Sequence, residues 1–469
     1  MRHFILLLAL VASSITQAAP STTQAARNVL LMIGDDHGLD GGCFGNASVN
    51  TPAFDALAKR GTRFDNAFAT VSSCSPSRAV ILSGLYTHSN GQYGLAHGQY
   101  NQHTLPWVQS LPRVLKAAGY RTTLIGKNHL LPPEVYPYDQ TLLGGSRNVS
   151  AVANAAAEIF TDTSTGKPFF LVIGFADPHR AGRGFAGDKT FQNVRRAEYD
   201  PAKIKVPDHL PDTPEVRRDL ADYYQSVNRL DQGVGIVLEE LERAGHLDDT
   251  LIIYLSDNGR PFPGAKTNLY DAGIHLPLII RKPGVKGGVV NHAMVSWIDI
   301  APTVLEWTQH IQTRSPIALP GRSLLPILDQ ENPSGWDHVF ASHIFHEIWM
   351  YYPMRAIRTR QYKLIWNLAH TLEYPTAGDI NRSPSQKSVN KTKMLGQRPL
   401  EAYLHRPEFE LYDIATDPNE LHNLADDASL ADVKKDLHQR ILKMMADTHD
   451  AWNPLINNPH KSVGPAPEE

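Results

Sequence analysis

Cysteine is almost absent from this chain of 469 residues: Cys43 and Cys74 are the whole complement. That scarcity excludes a disulfide-framed scaffold, so hydrophobic packing must carry the stability. On composition alone, a single pairing of the two thiols stays open. A surplus of one charge is missing too, since 45 Lys and Arg against 48 Asp and Glu leave a net of −3. No global field draws such a protein to nucleic acid or to an anionic membrane, and an anionic ligand must be met by a local pocket. Long apolar runs are absent after the first residues. Arg2, the run Phe4 to Val11 and the small residues up to Ala19 read as an export signal over residues 1–19, too short to span a bilayer. The mature chain is therefore expected to be exported, periplasmic or secreted (lysosomal in a eukaryote), with no membrane span. At 42% apolar and 20% charged residues it has the composition of a large globular protein.

Continuous apolar runs at Asn28 to Ile33, Phe169 to Phe175 and Leu251 to Leu255 read as strands buried on both faces. Arg121 to Ile125 and Leu276 to Ile280 read as two more. Helical spacing covers Pro52 to Arg60, Leu111 to Ala118 and Leu220 to Ala244, each followed by a glycine that closes it. Strands alternating with helices predict an α/β fold, a mostly parallel sheet sandwiched by helices, over residues 27–330. From 331 to 469 the pattern changes to short strands (Val339 to Ile344, Met354 to Ile357, Tyr362 to Trp366, Phe409 to Tyr412) and a terminal helix near Leu430 to Ala446. This predicts a smaller C-terminal antiparallel sheet domain. The Ser-, Asn- and Lys-rich stretch from Pro375 to Pro399 reads as a surface loop.

In parallel sheets ligands bind at the carboxyl ends of the strands. There the sequence places Asp35 and Asp36, Lys127 and His129, Asp177 and His179, and Asp257 and Asn258. Four strands that empty polar groups toward one edge point to one active site. Adjacent carboxylates repel, and a divalent cation relieves them. Asp35, Asp36, Asp257 and Asn258 form an all-oxygen set that suits Ca²⁺ or Mg²⁺ and not zinc. His37 and His275 read as structural histidines. Cys43, set between glycines and Phe44, reads as a thiol without chemistry.

The run Cys74-Ser75-Pro76-Ser77-Arg78 matches the sulfatase signature Cys-x-Pro-Ser-Arg. Asp35-Asp36 precedes it, and Gly126-Lys127-Asn128-His129, Asp177-Pro178-His179 and Ser256-Asp257-Asn258-Gly259 follow in the family's order. The chain resembles the sulfatase family over nearly its whole mature length. A finer resemblance is to its sulfamidase (heparan N-sulfatase) branch. It rests on Leu85, on Asn90-Gly91-Gln92-Tyr93-Gly94-Leu95, on Asp177-Pro178-His179-Arg180, on Tyr352-Pro353-Met354-Arg355 and on the pair His346-Glu347. One departure is Lys266, where sulfamidases tend to have arginine; the charge is kept and the planar fork is lost.

The resemblance implies an alkaline-phosphatase-like fold and a maturation enzyme that oxidises Cys74 to formylglycine. It implies that the modified residue, with Asp35, Asp36, Asp257 and Asn258, holds the metal. The hydrated aldehyde would attack sulfur, with Arg78 and Lys127 holding the hydrate and His129 as base. Lys127, Lys266 and His179 would neutralise the sulfuryl oxygens, and His179 would protonate the leaving group, with Lys266 as the alternative acid. Asp177, Arg180, His346 and Glu347 would contact substrate. The expected activity is hydrolysis of the N-sulfate of a terminal glucosamine in heparin-type saccharides, by a monomer or a homodimer. An O-sulfatase, a phosphate or phosphonate monoester hydrolase and a non-catalytic glycan-binding protein are the rivals.

Overall fold

A computed structural model describes residues 27–182, 184–187, 189–310 and 318–454. The expected signal segment lies outside the described residues. Among these residues no helix is long and apolar enough to cross a membrane.

The large sheet has eight strands: β1 (Asn28–Gly34), β2 (Thr62–Phe68), β3 (Arg121–Gly126), β4 (Gln140–Leu142), β5 (Phe169–Gly174), β6 (Thr250–Ser256), β7 (Leu278–Arg281) and β8 (Val289–Ser296). They lie in the order β4-β3-β5-β1-β6-β7-β2-β8. All are parallel except β7, which runs antiparallel to both β6 and β2. The expected mostly parallel sheet is what forms. In register, Leu30 of β1 sits between Leu171 of β5 and Ile252 of β6. Alternation then sorts the side chains. Val29, Leu31, Ile33, Leu251, Ile253 and Leu255 pack into one core, and Leu30, Met32, Ile252 and Tyr254 into the core on the opposite face. Helices cover both faces. The longest, Pro214–Arg243, starts at Thr213, whose hydroxyl accepts from the Val216 amide, and packs on the helix Val149–Thr161.

The sequence reading passed over β2, β4 and β8. In β2 half-buried Arg63, Asp65 and Asn66 break up the apolar signal of Phe64, Ala67 and Phe68.

A second sheet is antiparallel. It contains β9 (His338–His343), β10 (Met354–Thr359), β11 (Tyr362–Asn367) and β14 (Phe409–Asp413), in the order β14-β11-β10-β9. A two-stranded ribbon, β12 (Met394–Leu395) with β13 (Arg398–Pro399), stands apart. The terminal helix Ala431–Asp447 lays Leu437, Ile441, Met444 and Met445 against Ile357, Leu364, Trp366 and Leu411 on one face of this sheet. Val339, Ala341, Met354, Ala356 and Ile365 on the other face join the core with Tyr352 and Tyr374.

The stretch from Pro375 to Pro399 corrects the sequence reading. It is not a surface loop but carries the helices Gly378–Asn381 and Pro384–Thr392 and the ribbon, with Ala377, Ile380, Ser385 and Val389 buried. Its polar composition suits a segment that lines a cleft and bonds across it. Ser385, for example, gives its hydroxyl to buried Asp219 at 2.5 Å.

Candidate active site

The carboxyl ends of β1, β3, β5 and β6 converge on one cleft of about 730 Å³. Cys74 meets them from the side, as the first residue of the helix Cys74–Ser83, every residue of which is buried. Ser73, just before the helix, bonds through its hydroxyl to His346 Nδ1 at 2.8 Å and does not cap the helix amides. The positive end of that helix dipole therefore faces the cleft. Cys74 is only 1% exposed, and its Sγ lies 3.8 Å from Asp36 Oδ1.

Around it the acids and bases interlock. Lys127 Nζ donates to both oxygens of Asp35, at 2.9 and 2.7 Å. Arg78 places Nε 2.9 Å and Nη2 2.8 Å from Asp257 Oδ2. Lys266 Nζ bridges Asp36 at 3.0 Å and Asp379 at 2.8 Å. His179 Nε2 sits 3.8 Å from Asp36 and 3.9 Å from Asp379. Close approach is built into the strand ends. A Cβ on Gly174 would meet the Lys127 carbonyl oxygen at 2.2 Å and Arg78 Nη1 at 3.0 Å, so only glycine lets Arg78 pass beneath. Asp36, His129 and Thr267 adopt positive φ (68°, 61° and 70°). Such conformations cost about 1–3 kcal/mol each and gather where geometry matters more than stability.

One oxygen from each of Asp35, Asp36 and Asp257 falls within 4.8 Å of the others, and all three residues are buried. Asn258 Oδ1 is buried with no hydrogen-bond partner. A hard dication satisfies both features at once, because it neutralises the acids and takes up the orphaned oxygen. The residues present fit such an ion.

Burial pushes Asp36 up to about 7, reinforced by Asp35, Asp257 and Asp379 and opposed by Lys266. Burial raises Asp257 as well. It would raise Asp35 too, but Lys127, His179 and Arg78 hold that carboxyl well below the usual range. Burial drives His179 down to about 3, with Lys266 adding to it, and likewise depresses His129 and His346. The Cys74 thiol is pushed up by burial despite Lys127 and Lys266. An unmodified Cys74 is thus a protonated thiol and a poor nucleophile.

Of the residues read from sequence, Asp35, Asp36, Cys74, Arg78, Lys127, His179, Asp257, Asn258 and Lys266 come together around this point. His129 lies on the cleft wall with Nδ1 buried and unpaired, and its Nε2 bonds His97. His346 and Glu347 also line the cleft, Glu347 accepting from Tyr100 Oη at 3.3 Å and the Gly378 amide at 3.2 Å. Asp177 and Arg180 are differently employed. The Asp177 carboxylate is buried beneath Arg147, Arg229 and Ser226. Arg180 forks onto Asp219 at 2.7 and 2.9 Å and stacks on Phe185. Both brace the loop that carries His179.

Among the cleft residues that escaped the sequence reading are His97, Tyr100, Arg147, Asp379 and Arg382. Arg147 also donates to the His179 carbonyl at 2.5 Å. His37 bonds Tyr254 and the Asp40 carbonyl as a structural histidine does, and Cys43 and Cys74 are both free.

The family model described as Sulfatase matches residues 27–311. The chain belongs to the sulfatase family. This sulfatase is therefore a hydrolase. A second model, N-sulphoglucosamine sulphohydrolase C-terminal, matches residues 265–390. That span holds Lys266, His346, Glu347 and Asp379. The human N-sulphoglucosamine sulphohydrolase (Homo sapiens) is 40% identical over 460 residues, covering 91% of this chain and 91% of the human one. A structure solved in complex with its substrate D-glucosamine-2-N,6-O-disulfate superposes with a TM-score of 0.68 at 22% identity, covering 91% of this chain and 98% of that one. The phosphonate monoester hydrolase of Agrobacterium radiobacter gives 0.69 at 21% identity, covering 90% and 96%. At these identities the two structures speak for the fold, which is the expected alkaline-phosphatase-like one.

Proposed function

We propose that this sulfatase removes the N-sulfate from a terminal N-sulfoglucosamine of heparin- or heparan-type saccharides, with Cys74 oxidised to formylglycine beside Ca²⁺. The observation that carries the reading is the setting of Cys74: buried at the bottom of the cleft, held toward the protonated thiol by that burial, and set beside a triad of buried carboxylates. Such a residue has no use as a thiol. The 40% identity to the human N-sulphoglucosamine sulphohydrolase supports the choice of substrate.

Asp35, Asp36, Asp257 and Asn258 would hold the ion, which supplies Lewis acidity toward the sulfuryl group. A hydrated aldehyde at position 74 would supply the nucleophilic hydroxyl. The other roles belong to the chain itself. Lys127 and Lys266 keep positive charge beside position 74, where negative charge grows on the sulfuryl oxygens. Arg78, locked to Asp257, fixes the floor of the site. His129, held by His97, is the base. His179, which burial keeps neutral in the free enzyme, would take up a proton together with the anionic substrate and pass it to the leaving nitrogen, with Lys266 as the alternative acid. Four carboxylates (Asp35, Asp36, Asp257, Asp379) against three cations (Arg78, Lys127, Lys266) leave one negative charge. A dication turns that to one positive, which suits a singly charged sulfamate.

In this reading a separate maturation enzyme acts on Cys74, and the chain is exported, in keeping with the basic and apolar start at Arg2 to Val11. The test is sulfate release from N-sulfoglucosamine, glucosamine 6-O-sulfate, an aryl sulfate and an aryl phosphate, using protein whose Cys74 oxidation has been quantified. N-sulfoglucosamine should lead by at least about tenfold in kcat/KM. Preference for another substrate would replace the reading with one of its rivals. No turnover by fully modified protein would leave only glycan binding.

A further inference from the structure

A line of aromatic rings leads out of the catalytic cleft to solvent. His129 contacts His97 with ring centroids 4.4 Å apart, His97 meets Tyr100 edge-on at 5.3 Å, and Tyr100 meets Trp349 at 5.4 Å and 66°. Trp349 is 57% exposed and its neighbour Ile348 50% exposed. Trp349 stands beside the cleft and reaches it through Tyr100, which lines the wall. The platform is also held firm, since Glu347, one turn of chain from Trp349, accepts the Tyr100 hydroxyl and the Gly378 amide. On the same rim Arg382 lines the cleft, exposed, and no carboxylate among the described residues pairs with it. Every cation deeper in the site is tied to an acid; Arg382 is not.

We propose that Tyr100, Trp349 and Arg382 form a second sugar subsite outside the catalytic pocket, which takes a uronate-bearing residue linked to the terminal N-sulfated one. The face of a pyranose ring carries several C–H groups and packs on an exposed indole, while the uronate carboxylate pairs with the free guanidinium. The inference rests on the sulfamidase reading and adds to it a preference for chains over the isolated sugar. Binding energy gathered on a remote unit of the substrate can be used at the reacting centre.

The experiment compares N-sulfoglucosamine with a tetrasaccharide that ends in it, in the wild type, Trp349→Ala, Trp349→Phe and Arg382→Gln. The wild type should favour the tetrasaccharide in kcat/KM, and Trp349→Ala should shrink that ratio about tenfold, with Trp349→Phe recovering part of it. Arg382→Gln should abolish any preference for the tetrasaccharide over its carboxyl-reduced form. A ratio unchanged in Trp349→Ala overturns the subsite, whether the two rates hold or fall together. An unchanged ratio with a shift in sedimentation would give the aromatic face to a second copy of the chain. A wild type that cuts neither N-sulfated compound overturns the sulfamidase reading, and the subsite falls with it.

Discussion

Stripping the metal from this sulfatase should weaken the fold by a measurable amount. One oxygen from each of Asp35, Asp36 and Asp257 lies within 4.8 Å of the others. At an effective dielectric constant of about 20, each such pair repels by at least about 3.5 kcal/mol. Arg78, Lys127 and Lys266 offset most of this, but Asp36, driven up to about 7 by burial, is the carboxyl left under-compensated. An ion bound only to the folded state adds about 2.7 kcal/mol at a hundred times its Kd. With about 2 cal/mol/K of unfolding entropy per residue over 469 residues, that amounts to roughly 3 °C in the apparent Tm. The assay is calorimetry of chelator-stripped protein with Ca²⁺, Mg²⁺ or Zn²⁺ added back. Ca²⁺ or Mg²⁺ should raise Tm, and Asn258→Ala, which lacks the orphaned oxygen, should respond more weakly at the same concentration. The reasoning is refuted if the stripped and Ca²⁺-saturated proteins melt together, or if Asn258→Ala responds as the wild type does.

Mature protein should carry a residue at position 74 lighter than cysteine by about 18 Da, and Cys74→Ala should lose turnover by at least about a thousandfold while keeping part of the Ca²⁺ response in Tm through the three carboxylates. Asp379→Asn removes one of the two carboxylates that hold Lys266 and should lower kcat/KM by about 10–100-fold; sulfate-release kinetics would show it. Burial would raise Asp450, but Arg355, forked onto it at 2.5 and 2.7 Å, and His88 hold it below the ordinary range. A carboxyl lowered in this way stabilises the fold above its unfolded-state value, and the contribution is lost as pH falls through the folded-state value. Asp450→Asn should therefore cost about 3–5 kcal/mol at neutral pH and flatten the acid side of the stability profile, read by denaturant melts.

The strands that build the site were legible because burial on both faces leaves no polar interruption, as in Asn28 to Ile33 and Leu251 to Leu255. Their polar exits could be read for the same reason: a carboxylate directly after such a run has to be doing something. The misses share a cause. Asp379 sits in a stretch whose Ser, Asn and Lys content looks like solvent-exposed loop. Asn381, Lys387, Asn390 and Lys391 are indeed exposed, but Ser383, Ser385 and Ser388 are buried, and Ser385 bonds Asp219. His97 follows no strand at all and gives no signal. Asp177 and Arg180 stand at a strand exit beside His179 as expected, and Arg180 lines the cleft, but sequence order cannot show that their charged groups are engaged with protein partners. Those partners are Arg229 and Asp219.

The depth at which Cys74 lies also constrains the order of events in the life of the chain. With its whole helix enclosed, the thiol offers no purchase to another protein once the core has closed. An oxidising enzyme would have to take the segment around Ser73 to Arg78 as an extended peptide. If the proposed oxidation of Cys74 takes place, it should precede closure of this core, so that protein refolded from the unprocessed chain should stay inactive when the oxidising enzyme is added afterwards.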